Sequence, residues 1–211
     1  MVERQIRRRG IRDERVLEAM LKVPRHAFVP PKLAELAYDD KPLPIGAAET
    51  ISQPYIVAVM TEAAQIHAGD KALEVGAGSG YQAAILSFLG AKVIAIERNA
   101  GLAAAAQERL IHLSVANVSV LAGDGSEGYA PEAPYDVILV TAAAPAIPSP
   151  LLDQLAEGGR MVIPIGGLRE QELALVSKTA GQVSTRGLVS CQFVPLIGKA
   201  AWAEETLPIE K

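Results

Sequence analysis

Ala72-Leu73-Glu74-Val75-Gly76-Ala77-Gly78-Ser79-Gly80-Tyr81 is the stretch that decides the fold of this 211-residue chain. A short apolar run ends in an acid, glycines fall at alternate positions, and a helical pattern then opens over Gln82 to Leu89. These features read as a strand, a tight turn and a helix, with the turn at the carboxyl end of the strand, where open α/β sheets bind ligands. Glycine supplies the unusual dihedrals and close backbone approach such a turn needs. The N–H groups that open the helix favour an anionic group.

The spacing narrows the ligand. Dinucleotide sites carry G-x-G-x-x-G, whereas here the glycines are Gly76, Gly78 and Gly80, with Glu74 two residues earlier. A second apolar run, Lys92 to Ile96, ends in Glu97, about 20 residues beyond the loop, where a ribose-binding carboxylate belongs. A third, from Val118, reaches Gly123-Asp124-Gly125. Three strands thus present Glu74, Glu97 and Asp124 along one edge, which repels a pyrophosphate and welcomes a nucleoside that carries positive charge. The pattern resembles the S-adenosylmethionine site of the Rossmann-like methyltransferases, whose E-x-G-x-G-x-G motif it matches residue for residue.

The rest of the chain frames that core. Half of the residues are apolar and 4% aromatic, which predicts a core of Ala, Val, Leu and Ile. A net charge of −4 gives no electrostatic footprint for nucleic acid or anionic membrane. One cysteine, Cys191, rules out an internal disulfide and suits a reducing compartment. No apolar run approaches the roughly 20 residues of a membrane span, and the arginine-rich start has no apolar h-region after it, so the expected location is the cytoplasm. The three histidines, His26, His67 and His112, lie in no metal-ligand spacing, and no metal is expected.

Residues 2–22 read as helical with a break at Gly10 and a cap at Asp13, and Pro24 stops the run. Residues 38–53 read as a loop with extended pieces, and Pro54 opens a helix that runs to Ile66. From Lys71 strands and helices alternate, as in a parallel doubly wound sheet. The fourth strand is expected at Tyr135 to Thr141, a helix at Leu151 to Ala156, the fifth strand at Arg160 to Ile165, the sixth at Glu172 to Lys178 and the seventh at Leu188 to Leu196. The link between the last two is too short for a crossover helix, so they should form an antiparallel hairpin. The expected fold is therefore α/β: a seven-stranded, mostly parallel sheet with helices on both faces. It forms one domain, residues 1–68 supplying helices and a loop on the substrate side and 69–211 the cofactor-binding core.

Four stretches together resemble the protein-L-isoaspartate O-methyltransferases. They are Pro42-Leu43-Pro44-Ile45-Gly46 with Thr50-Ile51-Ser52-Gln53-Pro54-Tyr55; Leu73 to Tyr81; Gly123-Asp124-Gly125 with Thr141-Ala142-Ala143-Ala144-Pro145 and Gly158-Gly159-Arg160; and Phe193-Val194-Pro195-Leu196. The glycine loop alone would indicate a methyltransferase, and the Thr-Ile-Ser-Gln-Pro and Ala-Ala-Ala-Pro segments narrow it. The resemblance implies methyl transfer from S-adenosylmethionine to the free carboxylate of L-isoaspartyl residues in damaged proteins. An ionised carboxylate, with a pKa near 4, needs no general base, so the enzyme's work is alignment and exclusion of water.

By the same resemblance Ser52 is the catalytic serine, orienting the carboxylate. Its competing role is to cap the helix that begins at Pro54. Glu74, Gly76, Ala77, Gly78 and Gly80 should hold the amino-acid end of the cofactor, loop N–H groups meeting its carboxylate. Glu97, with Arg98, should hold the ribose, Asp124 and Gly125 the adenine, and Thr141 the floor. Ile51, Ser52, Ala142, Ala143 and Val194 should meet the substrate. A monomer is expected.

One departure stands out. The family carries Gly-x-Gly-Gln before Thr-Ile-Ser, and this chain has Gly46-Ala47-Ala48-Glu49. Two unit charges about 4 Å apart repel by about 4 kcal/mol at an intermediate dielectric. Glu49 is therefore expected to point away from the acceptor carboxylate, to be paired or to be protonated. The rival readings are a methyltransferase of the same fold with another acceptor, and a protein that binds the cofactor without transferring its methyl. A dehydrogenase is disfavoured by the glycine spacing.

Overall fold

The computed structural model describes residues 1–206. Its centre is a seven-stranded sheet built from β3 (Lys71–Val75), β4 (Lys92–Glu97), β5 (Val118–Ala122), β6 (Tyr135–Val140), β7 (Leu155–Gly166), β8 (Gln171–Thr179) and β9 (Gln182–Cys191). A separate hairpin of β1 (Leu43–Gly46) and β2 (Glu49–Ile51) lies upstream. The large sheet runs in the order β5-β4-β3-β6-β7-β8-β9. β5 through β7 pair in parallel, and β8 and β9 are antiparallel additions at one edge. The chain winds outward from β3 to β5, then returns to place β6 on the other side of β3. The crevice for a ligand in such a sheet lies at that reversal, beyond the carboxyl ends of β3 and β6.

Both faces of the sheet's central strands are buried, and the two-residue period of a strand sorts their side chains between them. Ala72, Val93, Ala95, Val137, Leu139 and Val162 join one apolar cluster with α1 (Glu14–Lys22), α2 (Pro54–Ala64) and α3 (Tyr81–Phe88). Leu73, Val75, Ile94, Ile96, Ile138, Val140, Met161 and Ile163 face the other way and meet Leu151 of α5 (Ser149–Gln154). Each such Val, Leu, Ile or Met side chain contributes about 1.5–3 kcal/mol relative to exposure, and the alanines less. The first cluster begins at Val2, so the N-terminal segment shares a core with the sheet.

Local chemistry explains the boundaries. Asp13 caps α1, its carboxylate accepting from Arg15 N–H at 2.9 Å, after Gly10 has turned the chain at φ +106°. Residues 38–53 are more regular than their prolines suggest. Ala47 and Ala48 both sit at positive φ, 52° and 60°, which is the twist a two-residue hairpin turn requires, and β1 and β2 pair across it.

Two strand boundaries depart from expectation. The fifth strand starts at Leu155, not Arg160, because Gly158-Gly159 forms an irregularity inside it: Tyr135 pairs with Leu155 but Val137 with Arg160. The seventh spans Gln182–Cys191, not Leu188 to Leu196. Its first half is polar and exposed at the sheet edge, so no apolar alternation marks it. Phe193 to Leu196 has instead left the sheet. It crosses the crevice as a strap, with Ala143 N–H donating to Val194 O at 2.8 Å and Leu196 N–H to Ala143 O at 2.7 Å. No helix among the described residues is long and apolar enough to cross a membrane.

Candidate active site

The reversal of strand order brings Glu74 and Gly76, at the end of β3, beside Thr141, at the end of β6. Thr141 N–H donates to Val75 O at 2.9 Å, and its Oγ1 lies 2.6 Å from Gly76 O. A Cβ on Gly76 would come within 2.6 Å of that oxygen, and φ there is +93°, so this position needs glycine for space and for backbone shape. Gly125 is held as closely, since a Cβ would meet Val75 Cγ1 at 2.6 Å.

A pocket opens over these tips. Its walls include Glu49, Ile51 and Ser52 from the hairpin side, Glu74, Gly76, Ala77 and Gly78 from the glycine loop, Glu97 and Arg98 from β4, and Gly125, Thr141, Ala142 and Val194 across from them. Eleven of the expected cofactor and substrate positions, drawn from stretches far apart in sequence, thus converge on one cavity together with Ser52.

Three expected residues lie outside the lining of this pocket. Gly80 faces α4 (Ala100–His112), where its missing Cβ leaves room for Ala106 and Leu110 at 3.4 Å. Ala143 is buried and spends its backbone on the strap, its carbonyl also accepting from Trp202 Nε1 at 3.1 Å. Asp124 lines an adjoining chamber with Gly123, Gly198, Lys199 and Trp202, and Arg98 and Ile197 border both chambers. Its carboxylate accepts from Ser126 N–H at 2.9 Å, Ser126 Oγ at 2.7 Å and Lys199 N–H at 2.8 Å. Burial alone would raise its pKa, but these bonds and the Lys199 charge outweigh it and hold it below the usual carboxylate value.

Most of the loop's N–H groups bond within the fold. The N–H groups of Gly76 and Ala77 both donate to Ile96 O, that of Gly78 to Glu97 Oε2 at 2.9 Å, and that of Gly80 to Ala77 O. These four donors are engaged internally, and a side chain at Gly76 or Gly78 would crowd its neighbours. Glu97 accepts from Gly78 and, through its other oxygen, from Asn99 N–H at 2.9 Å, which fixes its orientation. A carboxylate has about four acceptor sites, so two remain for hydroxyl groups.

Glu74 is the group that most plainly asks for a ligand. It is 1% exposed and neither carboxylate oxygen has a hydrogen-bond partner. Burial, and secondarily the charge of Glu97, push its pKa well above the ordinary value. An orphaned buried carboxylate is costly in isolation and suits a cationic ligand. Glu49 also lines this pocket, and burial raises its pKa, with Glu97 adding to the rise and Arg98 opposing it. Glu49 thus lines the cavity and does not point away from it, and its burial favours the protonated form.

Ser52 has no hydrogen-bond partner for its hydroxyl among the described residues and faces the same cavity. It does not cap α2. The cap residue is Gln53, without a side-chain bond to the helix, and the first turn is held from a distance by Asp40, whose carboxylate accepts from Tyr55 N–H at 3.2 Å and Gln53 Nε2 at 2.9 Å. The capping explanation of Ser52 is thereby removed. Tyr81, 1% exposed, serves core and pocket together: its ring meets the edge of Phe28 at 5.3 Å between centroids. Sequence reasoning missed Gln82, Ile96, Ile197 and the Asp40 brace, none of which carries a pattern of its own.

The comparisons agree with this geometry. The family model for protein-L-isoaspartate(D-aspartate) O-methyltransferase matches residues 1–201. A protein-L-isoaspartate O-methyltransferase from Methanoculleus marisnigri is 56% identical over 208 residues, covering 99% of this chain and 94% of its own. One from Koribacter versatilis is 57% identical, covering 96% and 91%. A solved protein-L-isoaspartate O-methyltransferase superposes with a TM-score of 0.84 at 29% identity, over 95% of this chain and 67% of that one. A Plasmodium falciparum structure assigned to the same enzymes, in complex with S-adenosyl-L-homocysteine, gives 0.79 at 28% identity over 90% and 94%.

Proposed function

The chain belongs to the protein-L-isoaspartate(D-aspartate) O-methyltransferase family, and on that premise we infer that it repairs damaged proteins by methylating the free carboxylate of L-isoaspartyl residues, with S-adenosylmethionine as donor. The observation that carries this reading is the pairing, in one cavity, of an orphaned buried carboxylate, Glu74, with an unengaged hydroxyl, Ser52. The first suits a cationic cofactor and the second an anionic acceptor.

Glu74 would face the ammonium end of the cofactor and Glu97 its ribose hydroxyls. Gly76, Ala77, Gly78, Gly125 and Thr141 would form a floor without obstructing side chains, with Arg98 at its rim. Asp124 would reach the adenine from the adjoining chamber. When bound, the cofactor supplies a methyl group on a positively charged sulfur. Ile51, Ala142 and Val194 would flank the peptide. Ser52 Oγ would donate to one oxygen of the isoaspartyl carboxylate and leave the other free to attack. The residues move no proton, because the acceptor is already ionised near neutral pH. They contribute alignment, which is worth several kcal/mol, and a dry cavity. The backbone amide nitrogen that follows then attacks the methyl ester, losing its proton as methanol is expelled, so that a succinimide closes unaided, and hydrolysis of that ring returns part of it to aspartate.

In this reading residues 1–68 form the substrate side and residues from 69 onward the cofactor core, within one domain whose last five positions lie outside the described residues. A cytoplasmic monomer that needs neither nucleic acid nor membrane is consistent with the charge of −4 and the single cysteine.

The test is transfer of labelled methyl to an isoaspartyl peptide and to its aspartyl twin, by the parent chain and by Ser52→Ala. Transfer only to the isoaspartyl form, falling at least tenfold (about 1.4 kcal/mol) in the variant while cofactor binding persists, supports the reading. Equal labelling of both peptides, or of neither, refutes it, and unchanged turnover in Ser52→Ala removes the serine from the mechanism.

A further inference from the structure

Arg25 is the other buried group in search of a purpose. It is 0% exposed. Its Nε donates to Ala37 O at 2.7 Å and its Nη2 to Ser52 O at 2.7 Å, while Nη1 has no partner. No carboxylate forms an ion pair with it among the described residues. Its guanidinium lies 4.9 Å from the centroid of the Tyr81 ring, which lines the active-site cavity. The carboxylate whose field reaches it, Asp40, is itself paired to Arg9 at 2.6 Å and bonded to Gln53 and Tyr55. Tyr81 and Tyr38 are the other titratable groups facing it. A guanidinium in this state is expensive to bury, and a native fold that keeps one has a use for it.

The cavity above supplies that use. Glu49, Glu74 and Glu97 line it, with Arg98 as the cation at its rim, and Arg98 is paired to Glu204 at 3.2 Å. The acceptor carboxylate thus enters a cavity whose lining, among the described residues, offers it no cation that is not already paired. We propose that Arg25 is a positioning residue for that carboxylate: its fixed positive charge, placed beneath Ser52 through the Ser52 carbonyl, draws the anionic acceptor to the serine hydroxyl and sets the preference for a carboxylate over a neutral carboxamide. This inference rests on the methyltransferase reading above. The same bond engages Ser52 O and leaves the hydroxyl as the residue's unpartnered side-chain group. A carboxylate bonded to Ser52 Oγ would lie on the order of 6–8 Å from the guanidinium, and at that range in a partly buried site a unit charge changes affinity by about tenfold or more.

The experiment measures, by calorimetry on enzyme saturated with S-adenosyl-L-homocysteine, the affinities of an isoaspartyl peptide and of its carboxamide twin. The parent should prefer the carboxylate by at least about tenfold. Arg25→Met should bind S-adenosyl-L-homocysteine within about twofold of the parent but lose the preference, and Arg25→Lys, which keeps the charge and drops the fork, should retain most of it. A merely structural arginine would weaken both peptides equally. No preference in the parent, or full preference in Arg25→Met, overturns the proposal. If Arg25→Met fails to bind S-adenosyl-L-homocysteine, Arg25→Lys decides: preference kept supports the proposal and preference lost sinks it. A parent that methylates the isoaspartyl peptide but shows no preference refutes this inference alone, whereas a parent that methylates neither peptide refutes the functional reading as well.

Discussion

Replacing Glu74 by Gln separates what the site needs for binding from what the fold needs for stability. In the free protein the Glu74 carboxyl is 1% exposed, unpartnered and next to the field of Glu97, and its pKa is raised well above 4.5. A group whose pKa is raised by folding contributes stability that is full below its unfolded value and is lost as pH rises through the folded value. The loss is at most about 1.4 kcal/mol per pH unit, so between pH 4.5 and 7 it reaches at most about 3.5 kcal/mol. Glu74→Gln removes that slope, but leaves a buried amide that costs about 1–3 kcal/mol at every pH. Thermal melts of cofactor-free protein at several pH values between 5 and 8 read the balance. The variant should be no more stable than the parent at pH 5 and should gain on it steadily toward pH 8, by several degrees in melting temperature at about 2–4 °C per kcal/mol. Glu49, whose pKa is also raised, is present in both proteins and cancels from the difference. In saturating S-adenosylmethionine the order should reverse, because the variant lacks the carboxylate proposed to face the cofactor's ammonium. A difference in melting temperature that is flat in pH would refute this account of Glu74.

Two further substitutions probe the frame around the site. Gly76→Ala must fit a Cβ within 2.6 Å of Thr141 Oγ1 at φ +93°, so we expect about 2 kcal/mol or more of destabilisation together with weaker cofactor binding. Gly158→Ala, at φ +77° with nothing within 4 Å of the added carbon, should cost only the backbone strain of about 1 kcal/mol, and equal losses in the two melts would contradict the clash. Asp40→Ala removes the remote brace of α2 and of the Gln53 side chain. It should lower stability by about 1 kcal/mol and reduce methyl transfer through a displaced Ser52, with calorimetry showing cofactor affinity within about twofold of the parent; a large loss of cofactor affinity would show that the brace serves the whole pocket.

The sheet was legible because its signals are strong and local. Apolar runs such as Val93 to Ile96 and Val137 to Val140 are buried on both faces, and each ends at a polar residue, Glu97 in the first and Thr141 in the second. The edge was not. Gln182–Gly187 is a strand because β8 offers it a hydrogen-bonding partner, not because its side chains alternate. The site's membership could be read from motif spacing, since Glu74, Glu97 and Thr141 sit at strand ends whatever the surrounding packing. The partnerships were hidden. Gly80 turned toward α4, Asp124 engaged Ser126 and Lys199, and Arg25 reached the Ser52 carbonyl across 27 positions of sequence. Contacts of that kind are set by tertiary packing, and no periodicity encodes them.

The most direct test of the central claim is a crystal structure with S-adenosyl-L-homocysteine and an isoaspartyl peptide bound together. The account predicts the thioether over the tips of β3 and β6, the amino-acid end against Glu74, and the isoaspartyl carboxylate accepting from Ser52 Oγ at about 2.7 Å with its other oxygen facing the sulfur. A thioether bound away from these strand ends, or a carboxylate seated with Ser52 turned from it, would contradict the account.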